Sequence, residues 1–209
     1  MTISALAAAL AAAMVAAPNH VGHGAHAKAH QAETTATFTA AQRQAAIWGS
    51  VQARIDQQND IWFDDGDFPR DVQSLRFEFA LYPSDYDIAT NLGWMQENIE
   101  EWDDALTTYQ EFHRLNPNDP DSTFPEALYF FLKKKYALVP PLLNPVIENR
   151  PQPNAFRILA SAYEHLKQYK DSIRVWNLYM KDQDAGFYPK DPESKHNLDR
   201  VTKKLASGG

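Results

Sequence analysis

The stretch EEWDDALTTYQEFHRLNP, residues 100–117, carries the spacing of an amphipathic helix. Its apolar residues lie three, four and three positions apart, on one face of such a helix: Trp102, Ala105, Tyr109 and Phe112. Pro117 ends the helix because proline lacks a backbone N–H and disfavours helix in the residue before it. One helix says little about function, but a recurrence of this pattern would define the fold.

The pattern does recur, with a period of about 34 residues. Three further segments share it: GDFPRDVQSLRFEFALYP (66–83), KKYALVPPLLNPVIENRP (134–151) and KQYKDSIRVWNLYMKDQD (167–184). An aromatic residue occupies one equivalent position in all four segments, at separations of 34, 34 and 33: Phe68, Trp102, Tyr136 and Tyr169. Another helical stretch precedes each segment. A helix–turn–helix unit repeated at this period is typical of a solenoid.

At these residues the chain resembles the tetratricopeptide repeat (TPR) family, with four degenerate repeats over about two-thirds of its length. The best match is residues 86–119, where Gly93 and Ala105 are the small residues that the family places at the helix crossing. The resemblance implies an all-α fold, a right-handed α-solenoid of stacked antiparallel helix pairs with a C-terminal capping helix. Residues 39–206 form this predicted repeat domain.

Two repeats depart from the family pattern. In residues 52–85 the crossing positions hold the polar residues Asn59 and Asp71, which predicts a loosely packed or divergent first unit. In residues 120–153, Pro145 would remove a hydrogen bond from a helix interior, so a kinked or split helix is expected there.

Helix boundaries have their own signals. The segments Thr39–Gln42 and Ser84–Asp87 resemble capping boxes, and Asp191-Pro192 predicts the start of a last helix that caps the solenoid. The acidic run Asp64-Asp65-Gly66-Asp67 lacks the spacing of a calcium loop and suits a turn within a repeat.

The N-terminal residues 1–29 differ from the repeats, and residues 30–38 are a linker. Residues 3–17 form an uncharged, alanine-rich run with the length of a signal-peptide core, which favours a periplasmic or secreted location. The alternative is the alanine-rich tail of a cytoplasmic protein. A histidine tract follows, which contains the weak candidate metal ligands His20, His23, His26 and His30. It raises an alternative function, an extracytoplasmic protein that handles metal ions.

Composition excludes several other classes. The net charge of −7 argues against nucleic-acid binding, which needs a basic surface. The chain has no cysteine and no phosphate-binding glycine motif, so we expect no cofactor. The apolar N-terminal run is too short for a stable membrane span. Since no nucleophile–base pair or closed metal site is evident, we expect a non-enzymatic protein-interaction scaffold.

The resemblance also implies where a peptide or helix of a partner protein would lie, in the concave groove formed by the first helix of each pair. The family frame selects Asp56, Asp60, Phe63, Asp64, Thr90, Trp94, Glu97, Asn98, Phe124, Leu128, Phe131, Arg157, Ser161, Glu164 and His165. The N-terminal end of this set is acidic and its middle is apolar. We therefore expect a partner segment with a basic end and apolar anchors.

Overall fold

A computed structural model describes residues 39–208, and within that range it contains nine α-helices and no β-strand. The helices are α1 (Ala40–Asp65), α2 (Phe68–Leu81), α3 (Tyr86–Asn98), α4 (Trp102–Leu115), α5 (Phe124–Leu132), α6 (Val139–Leu143), α7 (Pro153–His165), α8 (Tyr169–Asp184) and α9 (Pro192–Ala206). From Gln44 onward the described residues form one compact unit. The predicted all-α solenoid of helix pairs is confirmed.

The turn inside each repeat has the same backbone conformation. Its central residue is left-handed in all four repeats, with φ between 58° and 72°: Gly66, Glu100, Lys134 and Lys167. At the first turn, the N–H groups of Gly66 and Asp67 donate to the carbonyl groups of Phe63 and Trp62, which satisfies the end of α1. The 34-residue period therefore reflects a repeated helix-ending motif as well as a repeated apolar face.

Small residues allow the helices to cross closely, as the sequence predicts. Ala105 is fully buried, and the backbone of Gly93 lies so close to the ring of Tyr109 that an added Cβ would overlap it. In the last repeat, the buried Ser172 hydroxyl donates to the carbonyl of Ala160 across the equivalent crossing. The main core continues from these crossings through α4–α9.

The first unit is polar at its crossing, as predicted from Asn59 and Asp71. No residue of α1 is buried, and a separate small apolar cluster lies between α2 and α3, formed by Val72, Leu75, Leu92 and Met95. Polar side chains connect α1 to α2: the amides of Gln52 and Asn59 both donate to the carboxylate of the buried Glu78. An open pocket lies beside these polar side chains, between α1, α2 and α3.

The expected split helix in the third repeat is also confirmed. A 3₁₀ turn (Tyr136–Leu138), the short α6 and a second 3₁₀ turn (Ile147–Asn149) replace one continuous helix, and Pro145 lies between the last two. The buried Val139, Leu143 and Ile147 still pack into the core, so the repeat frame survives the interruption.

One of the two capping boxes is confirmed and the other is wrong by one residue. Thr39 and Gln42 exchange the two reciprocal backbone–side-chain hydrogen bonds of a capping box. At α3 the cap is Asp85, whose carboxylate accepts from the N–H groups of Asp87 and Ile88. The carboxylate of Asp85 reaches these donors from the position directly before the helix, so Ser84 is not the cap.

The C-terminal helix begins as predicted, because the Asp191 carboxylate accepts from the N–H of Glu193 and Pro192 is the first helical residue. Val201 is fully buried, whereas Leu205 is 39% exposed and contributes less to the inner face. Across residues 39–208, none of the helices combines the length and the apolar character needed to cross a bilayer.

The predicted segments 1–29 and 30–38 lie outside the described residues, as do His20, His23, His26 and His30. The signal-peptide and metal-handling hypotheses therefore stay predictions.

Candidate functional site

The most distinctive surface feature is a pocket of 410 Å³ between α1, α2 and α3, which we call the acidic pocket. It is lined by Asp56, Asn59, Asp60, Phe63, Asp71, Leu75, Glu78, Asp87, Ile88, Asn91, Trp94 and Met95. Four of these come from the predicted groove: Asp56, Asp60, Phe63 and Trp94. Five of the lining residues carry a carboxylate, and none carries a basic side chain.

The carboxylates of the acidic pocket have no salt-bridge partner among the residues that the structure describes. This holds for Asp56, Asp60, Asp71, Glu78 and Asp87, whereas several carboxylates in the later repeats, such as Glu101, Glu164 and Asp191, are paired with arginine. Within residues 39–208, the side-chain donors to the Glu78 carboxylate are the neutral amides of Gln52 and Asn59. The pocket therefore concentrates negative charge beside an opening to the surface.

Asp71 and Glu78 are the most deeply placed of these carboxylates, with exposed fractions of 3% and 2%. Burial, followed by repulsion from Glu78 and Asp60, raises the pKa of Asp71 to about 6. Burial also raises the pKa of Glu78, although the amides of Asn59 and Gln52 oppose this. Both side chains would be stabilised by a positive charge entering the pocket.

An exposed aromatic pair borders the carboxylates. Phe63 of α1 is 44% exposed and Trp94 of α3 is 50% exposed, and their ring centroids lie 5.9 Å apart. The ring of Phe63 also lies 6.0 Å from that of Phe68, which fixes it at the end of α1. Two adjacent, accessible rings offer apolar area to a ligand beside the acidic residues.

The remaining predicted groove residues of α1 and α3 are exposed or paired within their own repeat. Asp64 is exposed, and the Thr90 hydroxyl donates to backbone carbonyl groups one turn earlier. The Asn98 amide donates to the carbonyl of Trp94, and Glu97 accepts from the hydroxyl of Tyr109 at 3.0 Å. These contacts tie the three side chains to the helix pair α3–α4.

Charges in the last repeat are neutralised by α9 and by Asp191, the residue that caps it. Arg157 donates to Asp191 at 2.9 Å, and Glu164 accepts from Arg200 at 2.6 Å and from Lys204 at 2.8 Å. Burial alone would raise the pKa of Glu164, but the hydrogen bonds from the two cations outweigh it and hold the pKa below its ordinary value. The capping helix thus occupies the polar groups that the groove prediction assigned to a partner.

The apolar middle of the predicted groove is only partly accessible. Phe124 is 5% exposed and lies in the main core, so little of its ring is accessible to a ligand. Leu128 and Phe131 are half-buried against the same core, and Ser161 is half-buried as well. The exposed ring of His165 stacks on Tyr136, with centroids 4.0 Å apart.

Sequence reasoning missed Asp71 and Glu78 as site residues. The signal in the sequence was that Asp71 is a polar residue at a helix-crossing position where the family has a small one.

The pocket does not suggest a metal centre, because no group of three or more histidine or acidic side chains within residues 39–208 is placed to hold a metal ion.

Antiparallel helix pairs stacked at a period of 34 residues define the class of this protein, an α-solenoid of helix-pair repeats. Comparison with solved structures shows more particularly that the fold is TPR-like. A double mutant of MamA RS-1 superposes with a TM-score of 0.55 at 15% identity, over 74% of this chain and 84% of that one.

Two further structures give the same result. A tetratricopeptide repeat protein from Parabacteroides merdae ATCC 43184 has a TM-score of 0.52 at 15% identity, over 74% of this chain and 59% of that chain. MamA AMB-1 has a TM-score of 0.52 at 17% identity, over 76% of this chain and 84% of its own. No family model and no curated protein matches the sequence.

Proposed function

We propose that this protein is a non-enzymatic interaction scaffold that binds a peptide or helical segment of a partner protein at the N-terminal end of its repeat groove. The observation that carries this proposal is the acidic pocket, where the exposed rings of Phe63 and Trp94 border carboxylates without salt-bridge partners among the described residues. Helical-repeat proteins use such extended surfaces to bind peptides.

The chemistry of the pocket defines the partner segment. The exposed rings of Phe63 and Trp94 would pack against an apolar side chain, because aromatic contacts supply much of the energy of such interfaces. The carboxylates would attract a basic side chain and increase the rate of encounter at low salt. The later repeats contribute less, since Arg157 and Glu164 are already paired with α9.

The cellular location that the sequence favours, periplasmic or secreted, is part of this proposal. It determines the extract from which a partner should be isolated, namely the cell envelope.

The test is to isolate the native partner with the wild-type protein and to compare its binding to Trp94→Ala and to Asp60→Lys/Asp64→Lys. We expect each variant to weaken binding by about tenfold or more, since loss of an aromatic anchor costs about 2 kcal/mol or more. Circular dichroism checks the fold of each variant.

Trp102→Ala is the matched control, because Trp102 is 40% exposed but does not line the acidic pocket. We expect it to bind the partner like wild type. If both groove variants are well folded and bind as tightly as wild type, the interaction surface lies elsewhere on the solenoid.

A further inference from the structure

The floor of the acidic pocket contains buried acceptor atoms that lack a donor. Asp71 lines the pocket and is 3% exposed, and its Oδ1 atom has no hydrogen-bond partner among the described residues. The Oδ1 atom of Asn59 is likewise buried and unpaired there, while the amide of the same residue donates to Glu78. A buried, unpaired acceptor is costly, so a ligand that supplies N–H donors at this position would gain stabilisation.

The ligand must also be positively charged. Five carboxylates line the pocket without a lysine, arginine or histidine among the lining residues, and no salt bridge neutralises them within the described residues. The absence of a metal-binding arrangement in residues 39–208 favours an organic cation over a metal ion. Such a cation would enter past the exposed rings of Phe63 and Trp94, which attract cations through their faces.

We propose that the acidic pocket binds the side chain of one arginine from the partner segment. A guanidinium group presents five N–H donors in a planar fork, so it can supply the donors that the Oδ1 atoms of Asp71 and Asn59 lack. Its flat face stacks on an aromatic ring more readily than a compact lysine ammonium does. This inference rests on the proposed function and specifies the partner side chain that the acidic pocket binds.

The test uses three libraries of short peptides that share randomised flanking positions and differ only in a fixed central residue: arginine, lysine or citrulline. Citrulline keeps the shape of arginine and removes its charge. We expect the arginine library to bind the full-length wild-type protein about tenfold more tightly than the citrulline library, with lysine between them, because charge-assisted hydrogen bonds are stronger than neutral ones.

Asp71→Asn is the informative variant, since it replaces the unpaired carboxylate with a neutral group of similar size. We expect it to reduce the preference for arginine over citrulline to about two- or threefold while binding of the citrulline library stays unchanged. Asp182→Asn is the matched control: it also removes one buried aspartate carboxylate, but this one faces Arg150 at 3.7 Å, outside the pocket and the predicted groove. It should leave the preference intact.

The possible results separate the two proposals. Equal binding of the arginine and citrulline libraries, lost in both cases with Trp94→Ala, overturns the arginine site and supports the groove. An arginine preference that Asp71→Asn leaves unchanged also overturns the arginine site. An arginine preference that depends on Asp71 but is indifferent to Trp94→Ala supports the arginine site and contradicts the groove. No binding of any library at about 1 mM overturns both.

Discussion

Asp71 should destabilise the folded protein at neutral pH, and Asp71→Asn should therefore raise the free energy of unfolding. The reason lies in the burial of this carboxylate and its position beside Glu78 and Asp60, which raise its pKa from 3.8 to about 6. A group that binds protons more tightly in the folded state makes folding more favourable as the pH falls. Above pH 6 the folded protein holds a charged group that would be better solvated in the unfolded chain.

The magnitude follows from the two pKa values. A difference of about two pKa units corresponds to about 3 kcal/mol. The acidic pocket opens to water, which screens the charge, so we expect Asp71→Asn to stabilise the protein by about 1–2 kcal/mol at pH 7.5. The gain should decrease below pH 6 and vanish near pH 4, where Asp71 is protonated in both states.

The assay is chemical denaturation of wild type and Asp71→Asn, monitored by circular dichroism at several pH values between about 4 and 8. The difference between the two proteins reports on Asp71, because the other carboxylates of the pocket are present in both. Asp56→Asn is the control, because Asp56 is exposed at the same pocket and should change stability by less than about 0.5 kcal/mol. A variant that is less stable than wild type at pH 7.5, or a difference that does not change with pH, would refute the reasoning.

Four further substitutions test the repeat architecture by equilibrium denaturation. Gly93→Ala should destabilise the protein by about 2–3 kcal/mol, because the new Cβ would overlap the buried ring of Tyr109. Gly49→Ala is its control and should stabilise the protein by about 0.5–1 kcal/mol, because no atom lies within 4 Å of the new Cβ. Similar effects at both positions would contradict a close helix crossing at Gly93. Gly66→Ala should cost about 1 kcal/mol through backbone strain alone, since Gly66 has φ of 72° and open space around it; an unchanged midpoint would show that this turn relaxes without cost. Glu164→Gln should lower the free energy of unfolding by about 0.5–1 kcal/mol at pH 7, because it breaks the ion pairs between α7 and α9. High salt should reduce this loss, and a loss that does not change with salt would indicate a packing effect instead of a charge effect.

The sequence alone determined the repeat period, the helix pairs and the interruption of the third repeat. These features depend on residues close together in the chain: apolar residues at helical spacing, a proline at the end of the first three segments (Pro83, Pro117 and Pro151), and Pro145 at a position where a continuous helix would run. The sequence also identified Asn59 and Asp71 as polar residues at a helix crossing. It could not show that the resulting gap is a pocket, because that depends on how three helices are spaced.

Only the tertiary structure decided which charges are available to a ligand. Glu164 is neutralised by Arg200 and Lys204, which are 36 and 40 residues away in sequence, while the carboxylates of Asp71 and Glu78 meet no cation in the described part of the chain. Their sequence neighbours do not distinguish these acidic residues. The difference arises because side chains from separate helices pair only where the crossing geometry brings them within hydrogen-bonding distance, and the local pattern that forms each helix does not specify that geometry.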